Sequence, residues 1–162
     1  MISKEAMKVG RRLAAEGVLG RFAIDFVVVR SESGEWTPYA IEINLRKGGT
    51  THPFLMLQFL TDGKYNADTG EYLTGTDNKR FYFASDNVSN EKYIGLTPHD
   101  LIEIAIFHSL MYDSTTQEGV MFHLVGALSE HGKLGLVCIG SSPQRAKEFY
   151  DKAISVLDDE CC

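Results

Sequence analysis

The sequence is poor in positive charge, in long apolar runs and in cysteine. It contains 16 Lys and Arg against 22 Asp and Glu, for a formal net charge of −6, and the basic residues form no stripe. A nucleic-acid surface is therefore not expected, because such a surface should be basic. No apolar run is long enough to cross a bilayer and no signal peptide is recognisable, so we expect a cytoplasmic protein without membrane contact. The three cysteines (Cys138, Cys161 and Cys162) match neither a metal motif nor a disulfide framework.

What is present is an ordinary globular composition. At 162 residues, 44% of them hydrophobic and 23% charged, the chain can build one domain with a proper core, or one domain plus a small appendage. An acidic balance does not exclude nucleotides, since an arginine and a divalent cation can neutralise phosphates locally.

The order of elements predicts an α+β fold. Hydrophobic periodicity and Gly/Pro punctuation indicate helices and strands that we divide into a hairpin with flanking helices (1–62), an irregular connection with a short strand near Phe81 (63–95), and a small helix–strand–strand–helix unit (96–160). The predicted strands are 22–29, 36–45, 119–128 and 133–139. The predicted helices are 3–16, about 51–60, 97–111 and 142–157.

The first two strands form the most informative pattern. If they fold back around Ser33-Gly34, alternation gathers the apolar side chains on one face. The same register places Asp25 opposite Glu42 on the other face, with Asn44 beside them. A one-residue slip would mix the two faces, whereas a two-residue slip in the long loop would keep them separate.

Two opposed carboxylates repel each other unless a cation lies between them. Asp25, Glu42 and Asn44 offer hard oxygen ligands that suit Mg²⁺, and Arg46 on the same face offers a fork for phosphate or carboxylate. The competing interpretation is an ordinary solvated sheet face on which Arg46 neutralises the acids. The hairpin pattern alone does not decide between them.

A glycine bend follows the polar strand. Gly48-Gly49 leads into a helix that Thr50 or Thr51 can cap, and glycines beside a helix N-terminus can cradle an anion. The spacing is not that of a Walker A loop. His52 lies at this helix start and is expected to be exposed, while His123 is expected to be a hydrogen-bonded core histidine.

These stretches resemble the ATP-grasp superfamily. Residues 20–28 (GRFAIDFVV), residues 40–46 (AIEINLR) and Gly48-Gly49 are similar to the distal part of the second ATP-grasp lobe in carboxylate–amine and peptide ligases. The combination of EINLR with GGTTHP looks nearest to the pheganomycin-type peptide ligases. The closing helix–hairpin–helix region, from about residue 95, also resembles the small C-terminal domain of that group.

The resemblance implies roles for these residues. Asp25, Glu42 and Asn44 would be Mg²⁺ ligands, Arg46 would contact phosphate or the substrate carboxylate, and Gly48-Gly49 would line the acyl-phosphate site. A carboxylate would attack the γ-phosphate of ATP, and an amine would displace the resulting acyl phosphate. Mg²⁺ and ATP would be the cofactors, with small carboxylate and amine substrates.

The resemblance also implies a missing part. ATP-grasp enzymes clamp ATP between two lobes, and the earlier lobe with its phosphate-binding lysines has no counterpart before Met1. We therefore expect a partial ligase that needs an N-terminal lobe, another chain or a homo-oligomer. A non-catalytic binding or assembly module, and an unrelated α+β domain with an acidic hairpin, are the alternatives.

Overall fold

A computed structural model describes residues 1–66 and 68–161 of the chain. The architecture is α+β with small antiparallel sheets and flanking helices, which confirms the predicted fold class. The residues divide into two compact units, Met1–Thr51 and His52–Cys162, so the division falls earlier than the predicted boundary at residue 62.

The first unit consists of helix α1 (Ile2–Ala15) and the antiparallel strands β1 (Ala23–Arg30) and β2 (Trp36–Asn44). A tight turn joins the strands, because the Ser31 amide donates to the Glu35 carbonyl and the Gly34 amide donates to the Ser31 carbonyl. Gly34 has φ +86°, a left-handed conformation that glycine adopts without a steric cost. The hairpin and its turn thus form where the sequence predicts them.

The first unit has no core of its own. No residue among the first fifty, all of them described, is buried. Apolar side chains along the hairpin stay exposed, including Ile41 at 63% and Tyr39 at 55% of their full accessible surface. A two-stranded sheet of this kind is at best marginally stable in water, so its apolar surface is suited to being covered by further protein.

The second unit begins with helix α2 (Thr51–Thr61), whose first residue closes the first unit, and continues through eight further helices and strands. These are β3 (Lys64–Asn66), β4 (Glu71–Leu73), β5 (Phe81–Ser89), α3 (Pro98–Phe107), β6 (Gly119–His123), α4 (Leu128–His131), β7 (Lys133–Gly140) and α5 (Pro143–Glu160). Short 3-10 turns lie at Glu91–Tyr93 and Val125–Ala127.

Strand β7 is the centre of the second unit. It lies between β5 and β6 in a three-stranded antiparallel sheet, and seven of its eight residues are buried. A continuous apolar run of this kind is typical of a strand covered on both faces. Leu134, Leu136 and Cys138 join one hydrophobic cluster, whereas Val137 and Ile139 join another on the opposite side.

Caps place the helices around this sheet. Thr97 and Asp100 form a reciprocal capping box at the start of α3, and the Ser142 hydroxyl accepts from the Arg145 amide at the start of α5. The predicted starts of both helices agree with the structure. Strands β6 and β7 pair antiparallel as predicted, but a 3-10 turn and α4 connect them instead of a tight turn.

Three parts of the second unit differ from the predicted elements. Helix α3 was expected to run to residue 111 but ends at Phe107. Residues 63–95 were expected to be mostly irregular, but they contain the β3–β4 hairpin and the nine-residue strand β5. The strand expected over 119–128 ends at His123, because Leu124 adopts a left-handed conformation and a 3-10 turn follows. Within the described residues no helix is both long and apolar enough to cross a bilayer.

Candidate metal and phosphate site

The hairpin register brings the predicted ligands onto neighbouring positions. Asp25 pairs with Glu42, and Ala23 pairs with Asn44, as the alternation predicts. The Asn44 Nδ2 donates to Asp25 Oδ2 at 3.2 Å, which places these two side chains on the same side of the sheet. Asp25 and Glu42 are exposed and Asn44 is half-buried.

The predicted register is wrong beyond this point. A bulge follows Asp25, so that Phe26 pairs with Ala40 instead of Ile41, and Val28 pairs with Pro38 instead of Tyr39. Ile41 is the extra residue on β2. Bulges bend a strand and redirect side chains, and they occur often beside functional sites. The bulge lies directly next to the Asp25–Glu42 pair and leaves that pair unchanged.

No cation of residues 1–66 or 68–161 neutralises the two carboxylates. Neither Asp25 nor Glu42 takes part in an ion pair with any described residue, and Arg46 makes one long hydrogen bond, 3.5 Å, to the neighbouring Lys47 carbonyl. The interpretation in which Arg46 satisfies the acids therefore has no support in the structure. Two opposed acids without a counter-charge repel each other at this position.

The donor set fits a hard divalent ion. The Asn44 bond occupies one Asp25 oxygen and uses the amide nitrogen of Asn44, so the second Asp25 oxygen, the Asn44 carbonyl oxygen and the Glu42 carboxylate stay available as ligands. Mg²⁺ commonly takes one or two carboxylates and completes its shell with water and phosphate oxygens. Residues 1–66 and 68–161 contain no group of three or more His, Cys, Asp or Glu side chains that could hold a metal ion. The hairpin set is not such a group, because it consists of two acids and an amide.

The glycine bend lies between the end of β2 and the start of α2. The Gly48 amide donates to Thr51 Oγ1 at 3.1 Å, and the Thr51 amide donates back to the Gly48 carbonyl at 3.0 Å. Neither Gly48 nor Gly49 has a left-handed backbone, and a Cβ at either position would meet no described atom within 4 Å. The local fold thus does not require glycine at these positions, and the space beside them can admit a ligand.

The two histidines weighed in the sequence come together in the second unit. The rings of His52 and His123 lie 4.6 Å apart at 60°, with His52 exposed and His123 half-buried. Burial, followed by the charge of His52, holds the pKa of His123 below its usual value. Buried Nε2 of His123 has no hydrogen-bond partner among the described residues, so the expected hydrogen-bonding of this core histidine is incomplete.

One pocket was missed by the sequence-based interpretation. A cavity of about 390 Å³ lies within the second unit, between α2, the β3–β4 hairpin and the start of β5. Lys64-Tyr65-Asn66 and Glu71-Tyr72-Leu73 alternate around an Asp-Thr-Gly turn, and this pattern could have indicated the hairpin that forms one wall.

Comparison with known proteins gives two matches. Residues 100–153 match the family described as PGM1 C-terminal domain. Over 157 residues the chain is 32% identical to L-propargylglycine–L-glutamate ligase of Streptantibioticus cattleyicolor, covering 96% of this chain but 31% of that ligase. No solved structure matches the chain. These matches confirm that the chain resembles ATP-grasp ligases of the pheganomycin type, along a stretch that spans about a third of the related enzyme.

Proposed function

We propose that the chain supplies the metal- and phosphate-binding residues of an ATP-grasp carboxylate–amine ligase. The observation that carries the proposal is the convergence of Asp25, Glu42 and Asn44 on one side of the hairpin, with no ion pair from a described residue to either acid. The similarity to L-propargylglycine–L-glutamate ligase supports it, because that protein's name describes the joining of two amino acids.

In this proposal Asp25, Glu42 and Asn44 hold Mg²⁺, which neutralises charge on the phosphates of ATP when it is bound. Arg46, three residues from the bend at Gly49, binds an oxygen of the transferred phosphoryl group or of the substrate carboxylate. Positioning and electrostatic stabilisation supply most of the catalysis in phosphoryl transfer, so these side chains need no covalent role.

The bend at Gly48-Gly49 would border the acyl phosphate. The substrate carboxylate attacks the γ-phosphate, ADP leaves, and the amine then displaces phosphate to form the amide bond. Close approach of the backbone to an anion requires small residues, and the open space beside both glycines is suited to it.

The chain would act together with a further ATP-grasp lobe. The exposed apolar side chains of the hairpin and the absence of buried residues among the first fifty support this part of the proposal. The lobe would belong to the same polypeptide in a longer form or to a different chain. The same exposed surface favours the alternative function, a non-catalytic assembly module that keeps the ATP-grasp scaffold.

Titration with Mg²⁺ and ATP separates the two functions. The ligase proposal expects nucleotide binding that needs Mg²⁺ and weakens about tenfold, the equivalent of about 1.4 kcal/mol, in Asn44→Ala. Asn87→Ala is the matched control, because Asn87 is an exposed asparagine of β5 in the second unit. Calorimetry that detects no Mg²⁺-dependent binding in the parent chain or in either variant would favour the assembly module.

A further inference from the structure

The aromatic cavity of the second unit is lined by rings from three separate segments. Phe54 of α2 meets Tyr65 and Tyr72 edge-on, with ring centroids 6.5 Å and 5.8 Å away, and Phe81 and Tyr82 of β5 complete the wall. Its volume of about 390 Å³ lies in the range of small-molecule sites.

The hydrogen bonds of Tyr72 hold this wall in place. Its hydroxyl lies 2.8 Å from Thr61 Oγ1 and donates to the Leu57 carbonyl at 3.4 Å, and the tyrosine itself is buried. By contrast Tyr65 is 54% exposed, so one ring at the mouth faces solvent. The cavity is therefore preformed on one side and accessible from the other.

The rim of the cavity carries unbalanced positive charge. Lys79 forms an ion pair with Glu71, so its charge is compensated. Arg80 instead donates to three backbone carbonyls, those of Lys79, Thr116 and Gln117, at 2.8, 2.8 and 3.2 Å. It makes no ion pair with any residue in the described part of the chain. Its guanidinium is thus fixed in position, and two of its five N–H groups stay available.

The sign of this charge decides the class of ligand. A cage of aromatic rings would otherwise attract cations through its ring faces. At this rim, however, Lys79 and Arg80 carry two positive charges and Glu71 compensates one of them, so a cationic ligand is disfavoured. A guanidinium with two available donors suits a carboxylate. The rings suit a planar apolar group.

We propose that this cavity is a binding site for a small aromatic carboxylate, with its ring among Phe54, Tyr65 and Tyr72 and its anionic group at Arg80. The site lies wholly within the second unit and does not depend on the metal and phosphate site of the hairpin. If the chain fails to bind nucleotide, the proposal for the cavity is unaffected. If the cavity fails to bind an aromatic carboxylate, the proposed ligase function is likewise unaffected.

Three probes of one shape and different charge test the site. The probes 3-phenylpropanoate, 3-phenylpropanamide and 3-phenylpropylamine share a ring and a chain length, so that the charge is the main difference. Each is titrated into the full ¹⁵N-labelled chain. We expect 3-phenylpropanoate to shift the amides of Glu71, Tyr72, Phe81 and Tyr82 and to bind at least tenfold more tightly than the amine.

Two variants separate the contributions of the ring and the charge. Arg80→Gln should remove the preference for the anionic probe. Tyr65→Leu should lower the affinity for all three probes about equally, because it removes a ring but no charge. Arg11→Gln removes a positive charge from α1 in the other unit and should leave the affinities for all three probes unchanged.

The fold of each variant is checked by its ¹H–¹⁵N spectrum. Since Arg80 also anchors residues 116 and 117, the Tyr65 variant keeps the proposal testable if Arg80→Gln unfolds. Equal affinity for the three probes, or shifts at other residues instead of these, would overturn the proposal.

Discussion

The amide of Asn44 reaches across the hairpin to Asp25 Oδ2 at 3.2 Å, and Glu42 lies directly opposite that same aspartate. The two strands therefore place two carboxylates opposite each other, and the Asn44 amide bonds to one of them, Asp25. Such an arrangement opposes stability unless a cation joins it.

Glu42→Gln should stabilise the metal-free hairpin while it weakens Mg²⁺ binding. Removing one of two opposed charges relieves a repulsion of about 0.2–1 kcal/mol. Hydrogen exchange of the β1 and β2 amides in EDTA measures this gain as slower exchange. Glu32→Gln, in the exposed turn of the same hairpin, is the matched control and should leave exchange unchanged. Faster exchange in Glu42→Gln would show that the glutamate is structural.

Gly49→Ala should leave the fold intact and impair nucleotide binding. Its backbone is compatible with alanine, and the added Cβ meets no described atom within 4 Å. We therefore expect the free energy of unfolding to rise by about 0.4–1 kcal/mol, because alanine makes the unfolded chain less flexible. Gly34→Ala is the contrasting variant, since φ +86° strains any residue with a side chain. Unaltered Mg²⁺-ATP affinity in Gly49→Ala would show that the bend does not take part in nucleotide binding.

Tyr93→Phe should destabilise the second unit. The Tyr93 hydroxyl donates to Asp158 Oδ1 at 2.6 Å, and Asn90 donates to the same oxygen at 2.8 Å. These bonds hold the pKa of Asp158 below its usual value. We expect a loss of about 1–2 kcal/mol in the free energy of unfolding at pH 7, because the acceptor is charged but partly solvated.

The pH dependence of this loss has a defined sign. Because folding lowers the pKa of Asp158, its contribution is present above the ordinary carboxyl pKa and disappears as the pH falls through the folded value. The effect of Tyr93→Phe should therefore shrink at acid pH. Tyr150→Phe is the control, since the Tyr150 ring packs on Phe83 while its hydroxyl makes no hydrogen bond to a described residue. Urea unfolding at pH 7 and pH 3 measures both variants.

Acid should also weaken the second unit through His123. Its folded pKa lies below the usual value, because burial and the facing His52 outweigh the attraction of Asp86. The neutral ring is favoured in the fold, so this contribution is complete above about pH 6.5 and is lost as the pH falls through the folded pKa.

His123→Phe keeps a ring against Gly135 and removes the titrating group. It should flatten the dependence of the urea midpoint on pH between 7.5 and 5. His131→Gln, an exposed histidine, should leave that dependence as in the parent chain. An unchanged slope in His123→Phe would assign the acid sensitivity to other groups.

The sequence allowed the polar half of the hairpin to be predicted, because strict alternation separates Asp25, Glu42 and Asn44 from the apolar positions. Alternation carries no signal for an extra residue, so the bulge at Ile41 was missed. Strand β5 was underestimated for a different reason: its second half is polar around Asp86 and Asn87, and pairing with β7 on either side of these two residues holds the strand in place. The cavity at Arg80 combines segments far apart in the chain, which local patterns do not connect.

Paramagnetic broadening by Mn²⁺, used in place of Mg²⁺, tests the central claim most directly. In a ¹H–¹⁵N spectrum of the full chain with a non-hydrolysable ATP analogue, substoichiometric Mn²⁺ should broaden the amides of Asp25, Glu42 and Asn44 first. Excess Mg²⁺ should reverse the broadening, and Asp25→Asn should abolish it. Broadening that falls equally on remote exposed acids such as Asp77, or that persists in Asp25→Asn, would contradict a divalent-cation site on the hairpin.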